Sequence, residues 1–232
     1  MFQVIRSHER QGFDYGWLQT KHSFSFASYY DPTNTHFGSL RVFNDDVIQP
    51  GQGFGTHPHQ DFEIMTYVIS GALEHQDSMG NREVLRASEV QRMSAGTGVT
   101  HSEYNHSQEE PVHLLQIWFF PNAKGLTPSW EQKGFPIDQN RNQLVPIVSG
   151  NGAEGALHIH QDVTVYVSKL DSGNSIEFKQ EENRRIYLFV IEGELEANGE
   201  LLQAGDTARI SDLPALTLTS QQDAHFMLMD LA

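Results

Sequence analysis

An all-β protein of two tandem antiparallel barrels is what the sequence predicts, on three observations. Short β-branched and aromatic runs recur at roughly 8–12-residue intervals between Gly, Pro and Asn turns, the pattern of a sandwich or barrel. Helical signals are few. A stretch of the first half also recurs, in order, in the second half, and internal repeats take precedence in any reading of fold.

In chain order, Leu40 to Phe43 and Val47-Ile48 read as strands that precede the Gly-rich run Pro50-Gly51-Gln52-Gly53-Phe54-Gly55. Ile64 to Ile69 is rich in β-branched residues and ends at Gly71. A turn at Ser78-Met79-Gly80-Asn81 leads to a strand around Val90 to Met93. Val112 to Phe120 is the strongest β run and stops at Pro121. Thr127-Pro128-Ser129-Trp130-Glu131 offers an N-cap followed by Pro at the first helical position, so a short helix is expected there. Ser149 to Gly155 reads as a loop, and the whole stretch from about residue 121 to 155 as a connection. The expected domains are residues 1–130 and 131–232.

The repeat is explicit. Tyr67-Val68-Ile69-Ser70-Gly71-Ala72-Leu73-Glu74 matches Phe189-Val190-Ile191-Glu192-Gly193-Glu194-Leu195-Glu196 at an offset of 122. Leu85 to Met93 matches Leu202 to Ile210 at an offset of 117. The difference falls in a hairpin that turns through Asn198-Gly199 in the second copy, the preferred pair of a type I′ turn.

Composition narrows the function. The 232 residues include no Cys, which removes disulfide scaffolds, thiolate metal sites and Cys nucleophiles. With 15 Lys and Arg against 30 Asp and Glu, the net charge of −15 argues against a nucleic-acid partner. No run approaches the ~20 apolar residues of a membrane helix, so no membrane partner is expected. The N-terminal residues lack the apolar core of a signal peptide, and the expected location is cytoplasmic. A monomer is expected, because two barrels in one chain can bury each other.

The chemistry concentrates in two segments. His57-Pro58-His59 places two imidazoles at i and i+2, on one face of a strand. Pro58 cannot donate to a sheet ladder, so the strand should be an edge or bulged. His101-Ser102-Glu103 repeats the spacing after a Gly-rich turn. On facing strands the two pairs supply three imidazoles and one carboxylate, a set suited to iron, nickel, cobalt, manganese or zinc. His158-Ile159-His160 shares the spacing but has no partner motif and reads as a half-exposed strand. His75, His106 and His113 read as hydrogen-bonded structure.

These residues carry a family resemblance. Gly51…His57-Pro58-His59…Glu63…Gly71 and Gly96-Thr97-Gly98-Val99-Thr100-His101…Asn105 resemble the two cupin motifs. Phe54-Gly55-Thr56-His57-Pro58-His59, Ser94 to Gly98, His101-Ser102-Glu103 and the early His22 to Pro32 segment are similar to the pirin family. The resemblance implies a bicupin of jelly-roll type with a metal in the N-terminal barrel, held by His57, His59, His101 and Glu103. It implies iron(II) first, with Ni, Co, Mn, Cu or Zn as alternatives. Glu63, the ligand of many other cupins, is expected to stand behind the ligands or to be structural here, and the residues alone leave its part in the site open. Ser88 stands where a motif Gly is usual, which puts that turn's geometry in question. Mapped through the repeat, His57, His59 and Glu63 become Lys179, Glu181 and Arg185, while His101 and Glu103 become Leu218 and Ser220, so the second barrel is expected to lack metal.

The implied activity is that of quercetin 2,3-dioxygenases, which open the central ring of a flavonol with O2 and release carbon monoxide, with Glu103 as proton acceptor. The implied partners are a flavonol and O2. Phe24, Phe26, Phe43, Phe54, Trp118 and Phe119 are candidates for an aromatic pocket or for core, and Gln116 for cavity or solvent. The rival reading is a metal- or redox-sensing regulatory protein that acts through protein partners. A sugar isomerase shares the barrel and is a third reading, because fold does not determine reaction.

Overall fold

A computed structural model describes residues 1–232, which divide into two β units. One comprises Gln11–Phe135 with Leu157–Gln161; the other comprises Met1–Arg10, Pro136–Ala156 and Asp162–Ala232. The division differs from a single cut after residue 130 in three places: the boundary falls after Phe135, and residues 1–10 and 157–161 each belong to the other half's unit.

The first strand, β1 (Phe2–Ile5), belongs to the second unit. The first unit begins with β2 (Gln11–Asp14), β3 (Leu18–His22) and β4 (Leu40–Ile48). Next come β5 (Gly53–His59), β6 (Glu63–Ser70) and the hairpin β7 (Ala72–Asp77) and β8 (Arg82–Arg86). The last main strands are β9 (Glu89–Ser94), β10 (Val99–Asn105), β11 (Val112–Phe119) and β12 (Ser129–Gly134). They form two antiparallel sheets, ordered β12-β9-β6-β11-β4-β3-β2 and β5-β10-β7-β8.

The second unit adds β13 (Val145–Ser149), while the two-residue β14 (Leu157–His158) lies with the first. It continues through β15 (Val163–Leu170), β16 (Ser175–Lys179), β17 (Arg185–Glu192) and β18 (Glu194–Ala197). It ends with β19 (Glu200–Gln203), β20 (Thr207–Ser211), β21 (Ala215–Thr219) and β22 (Ala224–Leu231). The order β20-β17-β22-β15 repeats β9-β6-β11-β4, and β16-β21-β18-β19 repeats β5-β10-β7-β8. The duplication read from two short matches thus extends to the topology. The all-β expectation holds: the helical content is one 3-10 turn, Ile137–Gln139. No helix is long and apolar enough to cross a membrane.

The expected helix at Thr127–Glu131 is instead the start of β12. Trp130 pairs with Met93 of β9 and packs with Ile64, Met93, Ala95 and Val99. Extending the sheet satisfies the open backbone edge of β9, which outweighs a local capping signal. The connection expected over residues 121–155 accordingly contains two paired strands, β12 and β13. In the second unit β1 plays the part of β12: it covers β20, with Phe2 opposite Ile210 and Val4 opposite Ala208. The salt bridge from Arg6 to Asp206, at 2.8 Å, anchors it there.

Two turns answer questions the sequence posed. Asn198 and Gly199 both have positive φ, 49° and 87°, as a type I′ turn requires. Ser88 takes φ 63°, the left-handed conformation that Gly205 adopts at φ 85° in the second copy, so the turn survives the substitution.

The two interiors differ chemically. In the second barrel Leu188, Leu218, Phe226 and Leu228 belong to one fully buried apolar cluster. In the first, the corresponding strands carry Thr66, His101, Leu114 and Gln116. Leu228 lies opposite Leu188 in the same register in which Gln116 lies opposite Thr66.

Candidate metal centre

Alternation along the strands assembles the first barrel's interior. β10 buries His101, Glu103 and Asn105 and turns Thr100 and Tyr104 outward. β5 is the edge of its sheet, as Pro58 requires, and pairs with β10 so that His57 faces His101 and His59 faces Val99. A bulge between His101 and Glu103 shifts the register and sets Glu103 opposite Phe54. Gly53 permits this approach, because a Cβ there would collide with the Glu103 carbonyl and Tyr104.

Three imidazoles converge. His101 Nε2 lies 2.9 Å from His59 Nε2 and 3.1 Å from His57 Nε2. Metal–nitrogen bonds of ~2.0–2.1 Å at right angles set neighbouring nitrogens about 3.0 Å apart, so both spacings fit a shared ion. The His57 Nδ1 proton goes to the Gly55 carbonyl at 2.8 Å, which leaves the His57 Nε2 lone pair aimed inward. Burial, reinforced by the neighbouring imidazoles, pushes His59 and His101 down to about 3, so both are neutral near pH 7 as metal ligands must be.

Glu103 forms a close group with His101 and His75. Its carboxylate accepts Gln116 Nε2 at 3.2 Å and the Thr66 hydroxyl at 3.4 Å, while that hydroxyl also contacts Gln116 Oε1 at 2.7 Å. Burial raises its pKa, a shift that the imidazoles and these hydrogen bonds only partly oppose.

A cavity of about 230 Å³ opens onto this cluster, lined by His57, His59 and Glu103. Phe26, Phe54 and Trp118 form its aromatic walls, and Ile48, Leu73 and Leu114 add aliphatic surface. Trp118 packs edge-on against His59, with centroids 4.8 Å apart, and Phe26 packs edge-on against Trp118 at 5.4 Å. Phe24, Phe43 and Phe119 are fully buried and do not line it. Gln116 faces the cavity. Asn44 and Asp46 of β4 do so as well and were not singled out in the sequence; the β4–β11 register, Asn44 opposite Gln116, could have found them once strand pairing was known.

Glu63 is elsewhere. It is buried, accepts the Ser94 hydroxyl at 2.9 Å and the His160 amide at 3.2 Å, and does not line the cavity. The His158-Ile159-His160 segment is thereby tied to the first unit, with Ile159 buried and His158 exposed. His75, His106 and His113 pair with carboxylates: His75 with Asp77, His106 with Glu74 and His113 with Asp45.

Comparison with known proteins agrees with this architecture. Residues 3–119 match the Pirin family, and residues 146–231 match the Quercetinase C-terminal cupin domain. The chain is 45% identical over 231 residues to a protein named quercetin 2,3-dioxygenase from Escherichia coli, covering 100% of this chain and 99% of that one. It is 44% identical to a pirin-like protein of Caulobacter vibrioides, over 95% of each chain. Among solved structures it resembles Escherichia coli YhhW, with TM-score 0.96 and 43% identity over 100% of this chain and 98% of that one. It also resembles the bacterial pirin YhhW in complex with nickel(II), with TM-score 0.95 and 42% identity over 100% and 99%. The chain belongs to the pirin family of cupin proteins.

Proposed function

We propose that this pirin-family protein is a metal-dependent dioxygenase acting on flavonols of the quercetin class, with His57, His59, His101 and Glu103 as the metal ligands. The observation that carries the reading is the convergence of three imidazole Nε2 atoms at the base of an aromatic-walled cavity. His57, His59, His101 and Glu103 would hold a divalent ion, which would supply Lewis acidity to a hydroxyl placed beside it. The three-nitrogen, one-carboxylate set accommodates several divalent cations, iron(II) is the one the pirin resemblance puts first, and the nickel(II) complex of the related YhhW supports a divalent cation in general.

The chain's own groups do the rest. Phe26, Phe54 and Trp118 exclude water and present apolar faces and edges to a planar aromatic substrate. Asn44 Oδ1, buried and without a hydrogen-bond partner, offers an acceptor to a ring hydroxyl. Glu103 takes the proton of the flavonol 3-hydroxyl; because a carboxylate held by a dication is a weak base, it does so by loosening from the ion or by sharing the proton through a hydrogen bond. Thr66 and Gln116 hold its carboxylate in place for that transfer. The net reaction adds both atoms of O2 to the substrate, opens the central ring and releases carbon monoxide.

Metal analysis coupled to a quercetin assay tests this directly. Stoichiometric metal, O2 uptake and equimolar carbon monoxide are expected. Metal-loaded protein that leaves quercetin untouched in air would sink the dioxygenase reading and favour a sensing role.

A further inference from the structure

His75 and Asp77 sit one strand behind the imidazole cluster, on β7, and neither lines the cavity. Both side chains are wholly shielded from solvent. The β7–β10 register sets His75 opposite Glu103 and Asp77 opposite His101. Asp77 Oδ2 is 3.1 Å from His75 Nε2, and His75 Nδ1 is 3.4 Å from His101 Nδ1. Asp77 is itself anchored: Oδ1 accepts the amides of Met79 and Asn81, and Oδ2 accepts Asn81 Nδ2 at 2.8 Å. The His75 ring stacks on Trp130 at 5.6 Å with an interplanar angle of 20°.

Proton counting orders this chain. An ionised carboxylate only accepts, so the proton between Asp77 and His75 is on His75 Nε2. In a neutral His75 the other nitrogen, Nδ1, is then an acceptor. The proton between the two rings must therefore be on His101 Nδ1. That leaves His101 Nε2 with a lone pair directed at His57 and His59, the tautomer a metal requires.

We propose that Asp77 and His75 are positioning residues that hold His101 in its Nδ1–H form and aim its Nε2 at the ion, a two-step version of the carboxylate–histidine–metal arrangement. The proposal rests on the metal-site reading above. His75 is grouped with His101 and Glu103 by distance, yet both its ring nitrogens are engaged, one by Asp77 and one by His101 Nδ1. It serves the ligand set from behind and is not a ligand.

The experiment is 15N-histidine NMR of the metal-free protein combined with nickel(II) titration of wild type, His75→Phe and Asp77→Asn. Wild type is expected to show His101 protonated at Nδ1. His75→Phe keeps the ring stacked on Trp130 but removes the acceptor. It should populate the Nε2–H form of His101 and weaken nickel(II) binding by about 10–100-fold. Asp77→Asn, which can still accept through its amide oxygen, should give a smaller loss. A wild-type His101 proton on Nε2, or equal nickel(II) affinity in wild type and a folded His75→Phe, overturns the proposal. If His75→Phe does not fold, unchanged affinity in Asp77→Asn together with the Nε2–H form in wild type does the same. Wild-type protein that takes up no nickel(II) would instead overturn the metal reading, and this proposal with it.

Discussion

His101 faces His57 across the β10–β5 pair, and their Nε2 atoms lie 3.1 Å apart. Because His101 also approaches His59, it is the shared corner of the cluster. His101→Leu installs the residue found at the equivalent position, Leu218, of the apolar second barrel. The variant should fold and lose bound metal, which elemental analysis of the purified protein reads directly. Undiminished metal content would discredit the ligand set.

Glu103→Gln separates ligation from proton transfer. Three imidazoles remain, so the variant should retain a good share of the metal. With Glu103 as the proton acceptor proposed above, the substitution should lower kcat on quercetin by about 10²–10⁴-fold. Full turnover in the variant would show that another group takes the proton.

Acid should destabilise the metal-free protein. His59 and His101 titrate near 6.5 when unfolded and are pushed down to about 3 by burial in the fold, so between those values the unfolded chain binds more protons. Stability is then full above about pH 6.5 and falls with decreasing pH toward 3, by up to ~1.4 kcal/mol per pH unit for each imidazole. Glu103, raised by burial, runs the other way and offsets part of the slope above its unfolded value of 4.5. Urea melts across pH 4–7 measure the slope, and His101→Leu should flatten it. An unchanged slope would contradict the assignment.

Glu63→Ala should leave metal content and the KM for quercetin unaltered while it destabilises the first unit. The Ser94 hydroxyl and the His160 amide lose their buried acceptor, at a cost of about 1–3 kcal/mol. Loss of metal in this variant, with its melt intact, would place Glu63 in the ligand set.

Ser88→Gly should stabilise. A left-handed residue with a Cβ costs roughly 1–2 kcal/mol, while glycine gives back about 0.5–1 kcal/mol in unfolded-chain entropy. A gain of up to about 1.5 kcal/mol in a denaturant melt is expected, and a loss would mean that the Ser88 side chain contributes a contact of its own.

The sequence by itself determined the strand pattern, the duplication, the family and the residue types at the candidate metal site. Alternation with period two is a local property, so His57-Pro58-His59 and His101-Ser102-Glu103 announce shared faces without knowledge of the fold. It could not determine what stands across from each face. Whether Gln116 points inward, that Asn44 joins it, that Glu63 holds residue 160 and that His75 backs His101 all follow from strand register between distant segments. Likewise the capping signal at Thr127 gave way to pairing with β9, and β1 crossed to the second unit, because an unpaired sheet edge is satisfied by whichever segment the tertiary structure brings alongside it.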